Sequence, residues 1–338
     1  MSTARRYICH RAGGPIEIDA DLEKAVWRDV AWTEDYVDIE GDARPRPTWR
    51  TRHKMLWDEK CLYMLAEMEE PHVWASLTEH DSIVYHDNDW EAFVGPEGSN
   101  HNYYELEINA LGTVFDLWLP KPYREGVRAD HDWNVSGLRK AVRVHGTLND
   151  PSDTDRGWVV ELAWPWEAFD RHDRDVAPVP PRDGDVWRMN FSRVQWDLEV
   201  VEGRYRKVAG RPEHNWVWSA QGMVDMHQPE RWGCVQFSER RADEGAPAFR
   251  EDETRDAREV LMALYRAQVE HRRSAGSWGS PGELSGGTWV WGSDEGELEF
   301  ALTSEGWAAR TRVETTCGPV LVHCRQDSLL WVEPVKGA

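Results

Sequence analysis

His86–Gly126 reads HDNDWEAFVGPEGSNHNYYELEINALGTVFDLWLPKPYREG, three strands joined by tight turns. Val94 runs into Gly95, Pro96 and Gly98, which are turn-forming residues. A second turn falls at Leu111-Gly112. Taken as a two-residue turn, that pair predicts that Ile108 faces Phe115 and Leu106 faces Leu117, making one apolar face. The other face then carries Tyr103, Glu105, Glu107 and Asn109, with Asp116 and Trp118 across from them. A slip of one residue would scatter both sets, because side chains alternate along a strand. The expected product is a sheet with one buried side and one side dense in carboxylates, amides and rings.

Outward from this stretch the same pattern recurs. Strands are predicted at Tyr7–Cys9, Ile16–Ile18, Thr48–Trp57, Cys61–Glu67, Gly137–Val144, Trp158–Trp164, Val186–Trp196 and Trp232–Ser238. A hairpin is predicted about Glu202-Gly203, and a helical turn within Asp21–Asp29. Many short strands with regular turn signals point to an antiparallel β-sandwich over residues 1–240. Residues 241–256 are charged, contain Gly245 and Pro247, and read as a linker. Within residues 257–338, Ala257–Arg273 is expected to be a helix, with Val260, Leu261, Leu264, Tyr265 and Val269 as its apolar stripe. Short strands follow at Trp289–Trp291, Leu298–Leu302, Trp307–Val313, Val320–Cys324 and Leu329–Val332. The fold class is therefore mainly β, with a small α+β domain of one helix on an antiparallel sheet at the end. The element order of that tail resembles the globular part of type IV pilin-like proteins, which implies homo-oligomer formation through the C-terminal domain.

Charge and composition exclude several functions. The 338 residues carry a formal net charge of −21, so the basic footprint that a nucleic-acid backbone needs is missing. An anionic membrane surface is disfavoured for the same reason. No run of 18 or more apolar residues exists to span a bilayer. The start, MSTARRYICHRAGG, lacks the apolar region of a signal peptide. As it stands the chain reads as cytoplasmic, or as exported if a leader has been removed. Five cysteines without a CxxC indicate neither a disulfide framework nor a zinc site. Tryptophan, at 21 residues, is the loudest signal. Most of these indoles are expected in the core, and several on a ligand surface.

Five segments carry a resemblance: IEIDADLEKAVW (16–27), DNDWEAFVGPEGSNHNYYELEINALGTVFD (87–116), GTLNDPSDTDRGWVVELAWPW (146–166), WRMNFSRVQW (187–196) and PEHNWVWS (212–219). Through them residues 1–240 resemble family 9-like, DOMON-related carbohydrate-binding modules. The resemblance implies a β-sandwich that grips a terminal sugar between two tryptophans. Amide and charged side chains would bind the hydroxyls, and calcium ions would be structural. Carried over to this chain, it matches Trp218 and Asn215 and makes Trp74 the candidate facing ring. Gln195 and Arg124 are further candidates. Physical chemistry agrees, since indoles cover the C–H faces of a pyranose while carboxylates and amides bind its hydroxyls. Tyr103 and Glu105 join the set from the polar face. The expected partner is thus a neutral saccharide, a terminal sugar or short oligosaccharide. Core packing remains the other reading of Trp74 and Trp218.

Two clusters keep alternatives open. Asp150, Asp153 and Asp155 stack hard oxygens on a short loop, which is calcium chemistry, although Asp-Pro-Ser-Asp is also a plain turn. Asp87 and Asp89 are a second, weaker calcium pair. No organic cofactor is indicated, for there is no phosphate-binding glycine loop and no nucleophile elbow. His86, His101, Glu105 and His214 could carry acid–base chemistry, making the chain a glycoside hydrolase or polysaccharide lyase. In the other reading they hydrogen-bond hydroxyls or one another.

Overall fold

A strand covered on both faces reads as an almost unbroken apolar run. Two segments have that pattern, Cys61–Glu69 (CLYMLAEME) and Gly157–Pro165 (GWVVELAWP). They pair along their whole length. In the computed structural model, which describes residues 4–284 and 298–335, they form the middle of one half of a large sheet. The chain divides into two compact units, Met1–Arg250 and Glu251–Ala338.

The strands of the first unit, in chain order, begin with β1 Arg6–Arg11, β2 Val37–Asp38, β3 Thr51–Trp57, β4 Cys61–Glu69 and β5 Asp89–Gly95. There follow β6 Tyr103–Asn109, β7 Val114–Leu119, β8 Arg139–His145, β9 Gly157–Pro165 and β10 Val186–Gln195. The last are β11 Leu198–Val201, β12 Arg204–Lys207, β13 His214–Val217 and β14 Gly233–Ser238. One sheet runs β7-β6-β5-β10-β14-β1-β3-β4-β9-β8, with β13 also on β10 and β2 beside β13. The β11–β12 hairpin turns at Glu202-Gly203 and stands apart. Pairing among the described strands is antiparallel except at β1, which runs parallel to both β14 and β3. Ile16–Ile18 does not become a strand; Ile16 instead packs beneath β3 and β4.

The sheet curls so that its inner faces share one core. Trp90, Trp187, Phe191 and Trp218 come from one half, and Trp57, Met64, Leu162 and Trp164 from the other. Residues 12–30, led by the fully buried Trp27, cover the outer side of β3, β4 and β9. On the opposite outer side, Phe93, Tyr103, Phe115, Leu117 and Trp232 form a third cluster.

The register of β6 and β7 differs from the sequence expectation by one residue. Glu105 pairs with Leu117, Glu107 with Phe115, and Leu106 with Asp116. The loop is Ala110-Leu111-Gly112, closed by Asn109 against Thr113. The Asn109 side-chain oxygen accepts the Leu111 and Thr113 N–H groups, each at 3.0 Å. Gly112 has φ +79°, which suits the left-handed position of a three-residue hairpin rather than a two-residue one. One extra loop residue turns Phe115 and Leu117 onto the carboxylate face and Asp116 and Trp118 away from it.

In the second unit, α1 spans Arg255–Ala275 and stops at Gly276. Leu261, Leu264 and Tyr265 are buried on the predicted stripe, against Trp307, Ala309, Val322, Cys324 and Leu330. The sheet beneath is β15 Leu298–Leu302, β16 Trp307–Thr315, β17 Gly318–Arg325 and β18 Leu330–Pro334, in that order and antiparallel. The strand expected at Trp289–Trp291 lies outside the described residues. All five cysteines are free thiols. Among the described residues, no helix is long and apolar enough to cross a membrane.

Candidate functional site

Residues two apart on a strand share a face, and directly paired residues on neighbouring strands share it too. Asp89 and Glu91 on β5 therefore face the same way as Glu105, Glu107 and Asn109 on β6. Asp89 pairs with Asn109 and Glu91 with Glu107. Across β10, Ser192 pairs with Glu91 on one side and Val217 on the other. Asn215 pairs with Val194 and so belongs to this face as well. The strand within Pro212–Gly222 thus extends the same floor.

The four carboxylates are 0–4% exposed. Oxygens of Asp89, Glu91 and Glu107 lie within 4.8 Å of one another. Asp89 Oδ1 accepts the Val194 N–H at 3.1 Å, and Glu107 Oε2 accepts the Tyr85 N–H at 3.0 Å. Asp89 Oδ2 and Glu105 Oε2 are buried with no hydrogen-bond partner among the described residues. Burial, then the neighbouring Glu91 charge, holds the carboxyls of Asp89, Glu105 and Glu107 well above the ordinary range. Burial pushes Glu91 up to about 7. A charged carboxylate in this place lacks solvent and faces its like.

Two rings stand at this face. Tyr85 is 39% exposed and Tyr123 42%. Burial, then the charges of Glu105, Glu107 and Tyr85, raises the Tyr123 phenol to about 12. Tyr85 is raised by burial, then by Glu107, Glu213 and Glu91. Both rings therefore lie within electrostatic reach of the carboxylates and of one another. Tyr103 is fully buried, and its hydroxyl meets His227 Nδ1 at 3.0 Å. Arg124 donates to Gln228 Oε1 at 2.8 Å and to Glu230 Oε2 at 3.0 Å.

The structure separates the other expected ligands. Trp218 is 1% exposed, packed on Phe191 and His53 inside the core. A Cβ on Gly233 would sit 2.2 Å from its ring, so no indole face is open to a ligand. Strand parity explains this: Trp218 lies three residues beyond Asn215, and positions three apart point to opposite sides. Gln195 also faces inward, where it donates to Glu70 Oε1 at 2.9 Å and accepts from Arg193 Nη2 at 2.6 Å. Trp74 is half-buried in the loop before β5.

The histidines do not gather at Glu105. His86 is exposed against the Tyr85 ring, His101 is buried beyond the β5–β6 turn, and His214 meets Asp197 Oδ1 at 3.3 Å. The charge acting on Glu105 comes from Glu91, and Glu107 shares a hydrogen bond with it. The loop aspartates do not converge either. Both Asp155 oxygens accept backbone N–H groups, from Val73 and Thr147. Asp150 accepts the Ser152 N–H at 2.9 Å as a plain turn, and Asp153 is exposed. The pair Asp87 and Asp89 is split. Asp87 anchors Ser76, Leu77 and Asn109, while Asp89 joins Glu91 and Glu107. Sequence reasoning passed over Glu91, Tyr85 and Tyr123. Glu91 was legible as the i+2 partner of Asp89, but the two tyrosines sit in short 3₁₀ turns outside any alternation.

Residues 18–239 match the model of the family described as "Carbohydrate family 9 binding domain-like". Among solved structures, a candidate carbohydrate-binding protein from Bacteroides uniformis is similar, with TM-score 0.52, 17% identity, and 70% of this chain and 100% of that one covered. A carbohydrate-binding module of family 9 from Caldicellulosiruptor kristjanssonii, solved with cellotriose, gives TM-score 0.45 and 15% identity over 73% of this chain and 100% of that one. The same organism's module with glucose gives 0.46 and 15%, over 70% and 97%. No curated protein matches the chain.

Proposed function

The chain belongs to the carbohydrate family 9 binding domain-like family, and on that premise we propose that its first unit binds a neutral saccharide at the Tyr85–Tyr123 face. The observation that supports this is the meeting of two half-exposed rings with buried carboxyls on one floor. Rings of this kind cover the C–H faces of a sugar, and carboxyl and amide groups bind its hydroxyls. Glu105 and Asn215 supply such groups on the floor, and Arg124 stands beside Tyr103 at its margin. The net charge of −21 favours a neutral sugar over a uronate or phosphate.

A glycan array followed by isothermal titration tests the reading. Tyr123→Ala and Tyr85→Ala should each weaken binding about tenfold or more, with Tm unchanged to within a degree or two. Trp74→Ala tests the competing ring. If Trp74→Ala abolishes binding while both tyrosine variants keep full affinity, the site lies on the loop before β5 instead. Trp218→Ala should lower stability by about 3–5 kcal/mol, as loss of a core indole does.

A further inference from the structure

Three other buried carboxylates of the first unit are thoroughly satisfied. Glu161 accepts from Lys24 Nζ at 2.6 Å, Trp27 Nε1 at 2.8 Å, and the Asp19 and Ala20 N–H groups at 2.9 Å. Glu70 is bound by Asn88, Trp158, Arg193 and Gln195. Asp58 is bound by two backbone N–H groups and the Tyr63 hydroxyl. The floor of β5 and β6 departs from this habit. Its carboxylates are as deeply enclosed, yet among the described residues no cation acts on Glu91 or Glu105.

We infer that Asp89, Glu91 and Glu107 hold one hard divalent cation, calcium, on the floor beneath Tyr85. Two donors on opposite sides of a calcium ion, each at 2.3–2.6 Å, stand about 5 Å apart. A trio whose oxygens all lie within 4.8 Å of one another fits around a single ion. Asp89 Oδ2, enclosed and without a partner, is a ligand atom with nothing else to bind. Glu105 Oε2, on the same face, is a second such atom. Ser192, the cross-strand neighbour of Glu91, adds a neutral oxygen. Carboxylate and hydroxyl oxygens without sulfur or imidazole select hard ions such as calcium, magnesium and manganese. The site differs from the Asp150–Asp155 loop, whose carboxylates are turned to backbone N–H groups. It also stands whether or not the surface above it takes a saccharide.

The test uses the full chain after chelator treatment, at pH 7.5, melted by tryptophan fluorescence with and without calcium chloride. Saturating calcium should raise the Tm of the first unit by about 5–10 °C, and calorimetric titration should give one site per chain. Glu91→Gln and Glu107→Gln should each lose that shift. Without calcium they should melt at or above the unsubstituted chain, because each removes one of several acids crowded together away from solvent; this separates loss of a ligand from loss of the fold. Asp153→Asn should keep the full shift. The inference is overturned if calcium, magnesium and manganese all leave Tm unchanged, or if both glutamine variants respond like the unsubstituted chain. A shift with magnesium or manganese but not calcium overturns the assignment to calcium.

Discussion

Two regions of one sheet bury carboxylates to the same depth and treat them in opposite ways. On the inner face, Glu70 meets Arg193 at 3.2 Å with side-chain exposures of 1% and 0%. Amide and indole donors fill its remaining lone pairs. On the outer floor, Glu91, Glu105 and Glu107 face one another with no counter-charge among the described residues. Burial alone therefore does not decide whether an acid stabilises this fold. What decides it is whether the chain supplies the opposite charge, or leaves that to something that binds.

The comparison breaks most readily on its paired side. Arg193→Met should cost about 3–5 kcal/mol, because it leaves Glu70 enclosed and uncompensated. The matched change on the floor, Glu105→Gln, removes an enclosed acid that has no opposite charge beside it. It should alter stability by less than about 1 kcal/mol, or raise it. Urea denaturation of both variants, followed by tryptophan fluorescence, makes the comparison directly. Equal losses would mean that the two regions are not different in kind.

An intermediate effect sharpens the contrast through pH. His53 is enclosed by aromatic rings, with its Nδ1 at 2.9 Å from the Tyr36 hydroxyl. Burial, then the Arg5 charge, holds its pKa well below the ordinary value. The folded state thus binds fewer protons than the unfolded one. Stability should fall as pH drops below about 6.5, where an unfolded histidine takes up its proton. His53→Gln should reduce that slope, read from denaturation midpoints between pH 7.5 and pH 5. The Asp150–Asp155 loop holds a middling effect and the smallest one. Asp155→Ala should cost about 1–3 kcal/mol by leaving the Val73 and Thr147 N–H groups unpaired. Asp153→Asn should change stability by no more than about 0.5 kcal/mol in the same denaturation.

Local patterning made most of the strands readable. Trp158, Val160, Leu162 and Trp164 point one way, and Leu298–Leu302 falls on the predicted residues. The polar face was readable too, because Glu105 and Glu107 stand two apart. Its partners were less so. A single loop residue at Gly112 set the β6–β7 register, and a Leu-Gly pair does not announce it. Trp218 was misassigned although its parity with Asn215 was visible in the sequence. The pairing of Arg6–His10 with Cys234–Ser238 joins the two ends of the unit, and no local pattern encodes a contact so remote. The convergence of Asp89 on Glu107 likewise exists only once β5 and β6 lie side by side.

The parallel strand β1 also sets a timetable. Arg6 emerges from the ribosome early, but its neighbour Cys234 follows only near the end of the unit. At ordinary elongation rates the gap is on the order of ten seconds or more. Until then β1 has only Leu56 and Trp57 of β3 to pair with, and the two halves of the sheet stay unjoined. The nascent chain must keep Tyr7 and Cys9, both destined for the interior, from pairing elsewhere for that time. Closure of the first unit is thereby a late event of synthesis, made by its earliest strand.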